Sequence, residues 1–182
     1  MACKITKGRT EPCKNSIGGL RMAYFINYVQ DAFTITTGKA TAMSASIDAV
    51  YPFELRSDSN ILSESLVSDK NNGTTVNTQT LTLALKRQDS DTALEVNLMA
   101  YGHPIVVVKD ANGEYRVVGL KDGLDLTASD ITTGGARADF NGYNLTFTGQ
   151  EAELAPYLDT ATITALLSKI PVEDEEEEEI PE

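Results

Sequence analysis

Alternating hydrophobic and polar positions dominate the chain and predict β-strands over most of its length. The run "LRMAYFINYV" from Leu20 is dense in β-branched and aromatic residues, which is typical of a half-buried strand. Pro52, inside "AVYPFEL", has no backbone N–H group to donate to a neighbouring strand, so its strand is expected at a sheet edge or at a bulge. "PIVVVKDANGEYRVVGL" predicts a hairpin over residues 105–120 that turns at Asn112 and Gly113.

The most unusual segment is a long hairpin, from about residue 51 to residue 86, that reverses within "KNNG" at Asn72 and Gly73. Its outgoing arm alternates leucines with threonines, so one face is apolar and the other carries hydroxyl groups. A hydroxyl-rich face does not suit a small core, and we expect it to be buried against, or shared with, another copy. The candidates for an oligomer interface or a lumen lining are Ser63, Ser65, Thr78, Thr80 and Thr82.

Two segments change to a helical period. In "QDSDTALEVNLMAYG" apolar residues recur at i, i+4 and i+7, namely at Leu94, Leu98 and Tyr101. Ser90 or Asp91 is the expected N-cap and Gly102 the expected end, with Leu98 and Met99 in the core. A second, short helix is expected over 159–170, capped by Asp159 and ended by Pro171.

Together these elements predict a mainly β fold: an antiparallel β-sandwich or half-open barrel with one flanking helix, a long protruding hairpin and a short C-terminal helix. Residues 1–19 are expected to form an extended arm that ends at a flexible Gly-Gly pair. The sandwich spans 20–158 and the short helix 159–170. The acidic run 171–182 is expected to be disordered, because it has almost no apolar surface to bury.

The stretch "DFNGYNLTFTGQE", residues 139–151, combines carboxylates, amides and a glycine as a calcium loop does. A calcium loop of the helix-loop-helix kind needs helical flanks, whereas the flanks here have strand patterns. We therefore expect Asn141 and Gly142 to form a type I′ hairpin turn, with positive φ at both residues. Asp139 is assigned to turn and surface roles, and adventitious ion binding is the alternative.

Charge is distributed unevenly. The formal net charge is −12, but 171–182 holds eight acidic residues and no base, so 1–170 carries about −4. Without a basic cluster the chain is a poor candidate for gripping nucleic acid, and it is better suited to repelling a polyanion. A run of 18 apolar residues and the apolar stretch of a secretory signal are both missing from the sequence. We expect a protein that is made and kept in a cytoplasm, or assembled from there.

Residues for catalysis or cofactor binding do not form a recognisable set. Cys3 and Cys13 are expected to be free or structural thiols, with a bridge between them as the alternative, since a zinc site needs further ligands. His103, the single histidine, has no nucleophile nearby in the sequence and is expected to be a loop residue. We therefore expect no enzyme activity, no cofactor and no metal site.

The order of these segments resembles that of tail tube (major tail) proteins, or related virion structural proteins, of tailed bacteriophages, especially those that infect Bacteroidetes. The segments are the Cys-containing arm, "SIGGLRMAYFINY", the "NNGTTVNTQTLTLALKR" hairpin, a helix, "VVVKDANGEYRVVGLKDGLDLT" and "DFNGYNLTFTGQE". The resemblance covers residue 1 to about residue 158. The last two segments, in that order and spacing, are its most specific part.

The resemblance implies that six copies form a ring, that each copy gives strands to a continuous inner barrel, and that rings stack into the conduit through which the genome leaves the head. The implied partners are the protein itself and other phage tail proteins. The resemblance also implies that DNA passes without specific binding and that no membrane is involved. The implied location is the virion tail, assembled in the cytoplasm of the host bacterium. The run "EDEEEEE" departs from the family pattern.

Two other classes fit the same residues. A head decoration protein, or a neck or connector protein, would share the β-rich composition without catalytic residues. A carbohydrate-binding β-sandwich is less well supported, because the sequence lacks a secretory signal and contains no Trp to stack on sugar.

Overall fold

The computed structural model describes residues 4, 5 and 7–171, and this part of the chain forms eleven β-strands and two α-helices. The strands are β1 (Leu20–Ile26), β2 (Phe33–Thr36), β3 (Lys39–Met43), β4 (Tyr51–Glu54), β5 (Ile61–Asp69), β6 (Thr74–Lys86), β7 (Ile105–Asp110), β8 (Tyr115–Val118), β9 (Asp125–Thr132), β10 (Gly142–Glu151) and β11 (Tyr157–Leu158). The helices are α1 (Ser90–Tyr101) and α2 (Thr160–Leu167). The predicted mainly β class is confirmed.

The strands form two separate sheets. One has seven strands in the order β2-β3-β11-β8-β7-β1-β4, and the other has four in the order β5-β6-β10-β9. Their pairs are antiparallel except for β11 with β3. Pro52 lies on β4 at the edge of the larger sheet, as predicted, because an edge strand tolerates the missing donor.

The larger sheet is covered on both faces because its central strands are apolar on both sides. On β1, Phe25 joins the core between the two sheets, whereas Tyr24 joins a second core. On β7, Val106 joins the core between the two sheets and Val107 joins the second core. Helix α2 closes the second core through Leu166, which is fully buried. The four-stranded sheet has one buried face only, formed by a row of β6 and β10 side chains: Leu81, Leu83, Leu145 and Phe147.

Helix α1 forms where it was predicted, but with a different cap and a different buried face. The N-cap is Asp89, not Ser90 or Asp91: its Oδ1 atom accepts a hydrogen bond from Thr92 N at 2.7 Å. The buried residues are Val96 and Met99, whereas Leu94, Leu98 and Tyr101 are exposed. The expected i, i+4, i+7 face is therefore wrong, and only the Met99 part of the core prediction holds. Gly102 ends the helix as expected.

Helix α2 follows the predicted boundaries closely. Asp159 accepts a hydrogen bond from Thr162 N at 2.8 Å, which confirms it as the N-cap. The helix ends at Leu167, shortly before Pro171. The expectation for the acidic run concerns 172–182, which lie outside the described residues.

Candidate assembly surfaces

The outer face of the four-stranded sheet carries all five of the predicted hydroxyl residues. Ser63 lies opposite Thr80 and Ser65 opposite Thr78, while Thr82 lies opposite Ile61. All five side chains are exposed or half-buried. Strand β10 continues the same face with a parallel row of polar residues: Asn144, Thr146, Thr148 and Gln150. The structure therefore brings the predicted residues together on one continuous polar surface, which we call the hydroxyl face.

The hydroxyl face points outward because the alternating positions of β6 point inward. Leu81 and Leu83 are fully buried against the larger sheet, so the threonines between them face the opposite way. On β9, the Thr127 side chain shares a hydrogen bond with Thr148 Oγ1 at 3.1 Å and donates to Thr146 O. The hydroxyl face thus extends across the sheet from β5 to β9.

The four-stranded sheet has few charged residues, and most of them are acidic. The sequences of β5, β6, β9 and β10 contain one basic residue, Lys86, which is the last residue of β6. Asp125 and Asp130 on β9 add negative charge at one edge. A surface of hydroxyls with few carboxylates and a single lysine offers phosphate groups few cationic partners.

Both edges of the four-stranded sheet are open within the described part of the chain. Strand β5 spans nine residues and pairs only with β6, and β9 spans eight and pairs only with β10. Each edge strand leaves a row of backbone N–H and C=O groups available to another strand. Proteins usually shorten, twist or cover edges of this length, because they otherwise template association.

The tip of the β5–β6 hairpin extends beyond the cover of the larger sheet. Leu66 faces the inner side and Val67 the outer side, yet both side chains are exposed, and so is Val76 opposite Val67. The chain reverses over residues 70–73, where Gly73 has φ +66. The predicted reversal is confirmed, but positive φ within it is confined to Gly73 and does not include Asn72. The predicted start near residue 51 is wrong: the hairpin begins at Ile61, because β4 pairs with β1 in the other sheet.

The sequence did not predict a polar network on the inward-facing side of β5. Glu64 accepts hydrogen bonds from Arg116 Nη1 at 3.0 Å, Asn77 Nδ2 at 2.9 Å and Ala155 N at 2.7 Å. Gln79, fully buried nearby, accepts from Gly119 N at 2.9 Å. The position of Glu64 could have indicated this network, because Glu64 alternates with Leu62 and Leu66 on the otherwise uncharged inner face of β5.

Asn112 has a role beyond its turn. Gly113 has φ +89 and the chain reverses over 111–114, as predicted. The Asn112 side chain also accepts from Ile17 N at 3.0 Å and donates to Ile17 O at 2.9 Å. It thereby anchors the end of the N-terminal arm to the β7–β8 turn.

The expected type I′ turn at Asn141 and Gly142 is wrong. Positive φ among the described non-glycine residues is confined to Asp31, Thr37 and Arg87, and the β9–β10 connection is the longer loop 133–141. Gly142 instead begins β10, in such close contact with β6 that a Cβ atom there would overlap the Leu85 carbonyl oxygen.

Asp139 organises the β9–β10 loop. Its Oδ2 atom accepts from Ala136 N at 2.7 Å and from Gly135 N at 2.9 Å. These backbone donors, Ala136 N before Gly135 N, hold the pKa of the Asp139 carboxyl below its ordinary value. The Asp139 carboxylate therefore stabilises the conformation of the 133–141 loop through these two backbone hydrogen bonds.

The other chemistry-bearing side chains are dispersed. His103 lies against Tyr28, with ring centroids 4.5 Å apart, and Cys13 is exposed. Cys3 lies outside the described residues. Within residues 4, 5 and 7–171, no three His, Cys, Asp or Glu side chains cluster in a way that could hold a metal ion.

Comparison with known proteins adds no family: no family model, no curated protein and no solved structure matches this chain. In the part of the chain that the structure describes, neither helix is long and apolar enough to cross a membrane. The fold therefore defines a class only, a two-sheet β-sandwich with an open, polar four-stranded sheet.

Proposed function

We propose that the protein is a structural subunit that assembles into stacked rings and forms a tail tube of a tailed bacteriophage. One observation carries the proposal: the four-stranded sheet has two long open edges, β5 and β9, and an uncovered hydroxyl face between them. Such edges associate with other strands unless something covers them. Pairing between copies is the arrangement that would cover both.

The direction of the strands favours a ring. The strands alternate in direction across β5-β6-β10-β9, so β5 and β9 run antiparallel to each other. When β5 of one copy pairs with β9 of the next, the antiparallel alternation continues without a break. This head-to-tail contact uses two different surfaces, and it closes into a ring when the rotation between copies permits.

The size of the sheet suits a hexamer. Four strands about 4.8 Å apart span about 19 Å, so six copies give a barrel of about 115 Å circumference and about 37 Å backbone diameter. Three copies would give about half that diameter, which side chains about 5 Å long would nearly fill. Six copies leave a channel wide enough for a DNA duplex, and strand tilt would widen it further.

The hydroxyl face is proposed to line this channel. Its side chains can hydrogen bond to water, and its charges are mainly those of Asp125 and Asp130. DNA moving along such a wall meets no lysine or arginine row to which its phosphates would adhere. The opposite face of the sheet is buried in the sandwich, so it is not available for this role.

Sedimentation and negative-stain microscopy of the purified full chain test the proposal. The expected result is concentration-dependent formation of rings or tubes with a central channel. Monomers alone, at high concentration and with a tail assembly partner present, would overturn it. Binding only to a preformed capsid shell would instead support a head decoration protein, and a sugar-dependent rise in melting temperature would support the carbohydrate-binding alternative.

A further inference from the structure

The N-terminal arm differs in charge from the rest of the protein. Residues 1–19 contain one acidic residue, Glu11, and four basic residues: Lys4, Lys7, Arg9 and Lys14. The arm therefore has a formal charge of +3, and because 1–170 carries −4, the folded body 20–170 carries −7. The described residues of the arm are exposed, including Ile5 at 97%. We call residues 4–14 the basic arm.

A cavity on the body has the opposite charge. It has a volume of about 550 Å³ and lies between the β2–β3 hairpin and the end of β10. Its apolar lining includes Phe33, Ile35, Leu120 and Leu154. Its charged lining comprises three acidic residues, Asp31, Glu151 and Glu153, against one base, Lys121. We call it the acidic cavity.

Glu151 indicates what the acidic cavity would bind. Only 8% of the residue is exposed, and its Oε1 atom accepts a hydrogen bond from Lys121 N at 2.7 Å. The Lys121 ammonium pairs with Asp31 at 2.8 Å and is also attracted by the Glu151 carboxylate, so one base is shared between two acids. Because one base serves two of the three acids, the lining keeps a net negative charge, which favours a cationic partner.

The basic arm and the acidic cavity lie at opposite ends of β8. The arm is anchored through Ile17 to Asn112, in the turn that precedes β8, whereas Lys121 follows the strand. Strand β8 spans four residues, about 13 Å at strand spacing, and no described residue of the arm lines the cavity of its own copy. The arm therefore does not occupy the cavity of its own copy, which leaves that cavity open to the arm of a neighbour.

We propose that the basic arm of one copy docks into the acidic cavity of a second copy. Ile5 would pack against the apolar lining, and a lysine or arginine of the arm would face the carboxylates of Glu151 and Glu153. The attraction joins a segment of +3 to a cavity whose lining carries −2. This contact does not depend on pairing between β5 and β9, and it would give the assembly a second interface between copies.

Cysteine cross-linking between two populations of the full chain tests the contact. Cys3 and Cys13 are replaced by Ser in both populations. One carries Gly8→Cys, where an added Cβ meets no atom within 4 Å, and the other carries Leu154→Cys at the cavity rim. After mixing and mild oxidation, we expect a covalent heterodimer. Leu98→Cys is the matched control for Leu154→Cys, because the two leucines are 55% and 57% exposed.

The heterodimer yield should be several-fold higher with Leu154→Cys than with Leu98→Cys. It should fall on adding Glu153→Lys, and also at high salt, because the attraction is between exposed charges. Equal yields with the two partners would overturn the proposal. So would a chain carrying both Gly8→Cys and Leu154→Cys that forms only an internal disulfide at every concentration, because the arm would then occupy its own cavity.

The two proposals can fail separately. If rings form while Gly8→Cys does not react with Leu154→Cys, the arm contact is wrong and the tube function stands. If the heterodimer forms but no rings or tubes appear, the arm contact stands and the tube function is wrong.

Discussion

Glu64 on β5 accepts a hydrogen bond at 3.0 Å from Arg116 on β8, and this pair links the two sheets across the interior of the sandwich. The guanidinium group also lies over the Tyr157 ring, 5.5 Å from its centroid. The other oxygen of Glu64 accepts from Asn77 and from Ala155 N. One carboxylate therefore fixes an edge strand of the smaller sheet against the larger one.

Glu64→Ala should lower the free energy of unfolding by about 2–4 kcal/mol, because it leaves a largely buried guanidinium and two further donors without their acceptor. Urea unfolding of both chains measures the change. The matched control is Glu54→Ala, whose partner Arg56 is 75% exposed, and there the change should stay below about 1 kcal/mol. Equal losses in the two variants would show that the Glu64 network does not hold the sheets together.

Gly142→Val should destabilise the fold by roughly 1–3 kcal/mol, because a side chain at Gly142 meets the backbone of Leu85 and comes within 3.0 Å of Phe140 Cζ. The reason is this close contact between β10 and β6, not a turn conformation. Gly18→Val is the control, since a Cβ at Gly18 meets no atom within 4 Å. Thermal unfolding compares the variants, and an unchanged melting temperature for Gly142→Val would contradict the described strand contact.

Three aspartates in turns, loops and a helix cap should make stability depend on acid pH. Backbone N–H donors hold the pKa values of Asp69, Asp89 and Asp139 below the ordinary 3.8: Asn72 N, Thr92 N and Ala136 N respectively make the largest contributions. Their stabilisation is complete above pH 3.8 and is lost as the pH falls through the lower folded values.

We therefore expect the free energy of unfolding to decline as the pH is lowered below about 4. Replacing all three aspartates with Asn keeps the side-chain acceptor but removes the titration. Denaturant unfolding between neutral and acid pH should accordingly show a shallower decline in the triple variant. The same decline in the wild type and the triple variant would mean that other titratable groups determine the pH dependence of stability.

Calcium should have no effect on the stability of this chain through Asp139. Because Asp139 Oδ2 already accepts two backbone hydrogen bonds, Asp139→Ala should loosen the 133–141 loop without altering any response to ions. Melting curves with calcium and with chelator, for the wild type and the variant, measure this. A calcium-dependent rise in the wild type that Asp139→Ala abolishes would identify a metal site in the loop.

The sequence predicted those features that a period-two pattern or the neighbouring residues determine. The hydroxyl face is one example, because alternation along β6 fixes which side chains point inward once Leu81 and Leu83 are buried. The caps at Asp159 and Gly102 are others, because they depend on neighbouring backbone groups. The candidate assembly surface could therefore be identified from the sequence before the sheet order was known.

Features that depend on distant contacts were not predictable. Helix α1 has apolar residues on several sides, so the choice of Val96 over Leu94 for burial depended on where the sandwich lies. Gly142 occurs in a sequence that suits a tight turn, but its close contact is with Leu85, far away along the chain. Neither open edge of the four-stranded sheet could be assigned either, because the pairing of β10 between β6 and β9 is a matter of topology.

Hydrogen exchange of backbone amides, compared between the dilute chain and its assembled form, tests the proposed ring most directly. Pairing of β5 with β9 between copies would convert the open edges into hydrogen-bonded ladders. We predict new protection in 61–69 and 125–132 on assembly, with little change in β4, an edge strand outside the proposed contact. Assembly that protects other segments while 61–69 and 125–132 continue to exchange as in the dilute chain would contradict it.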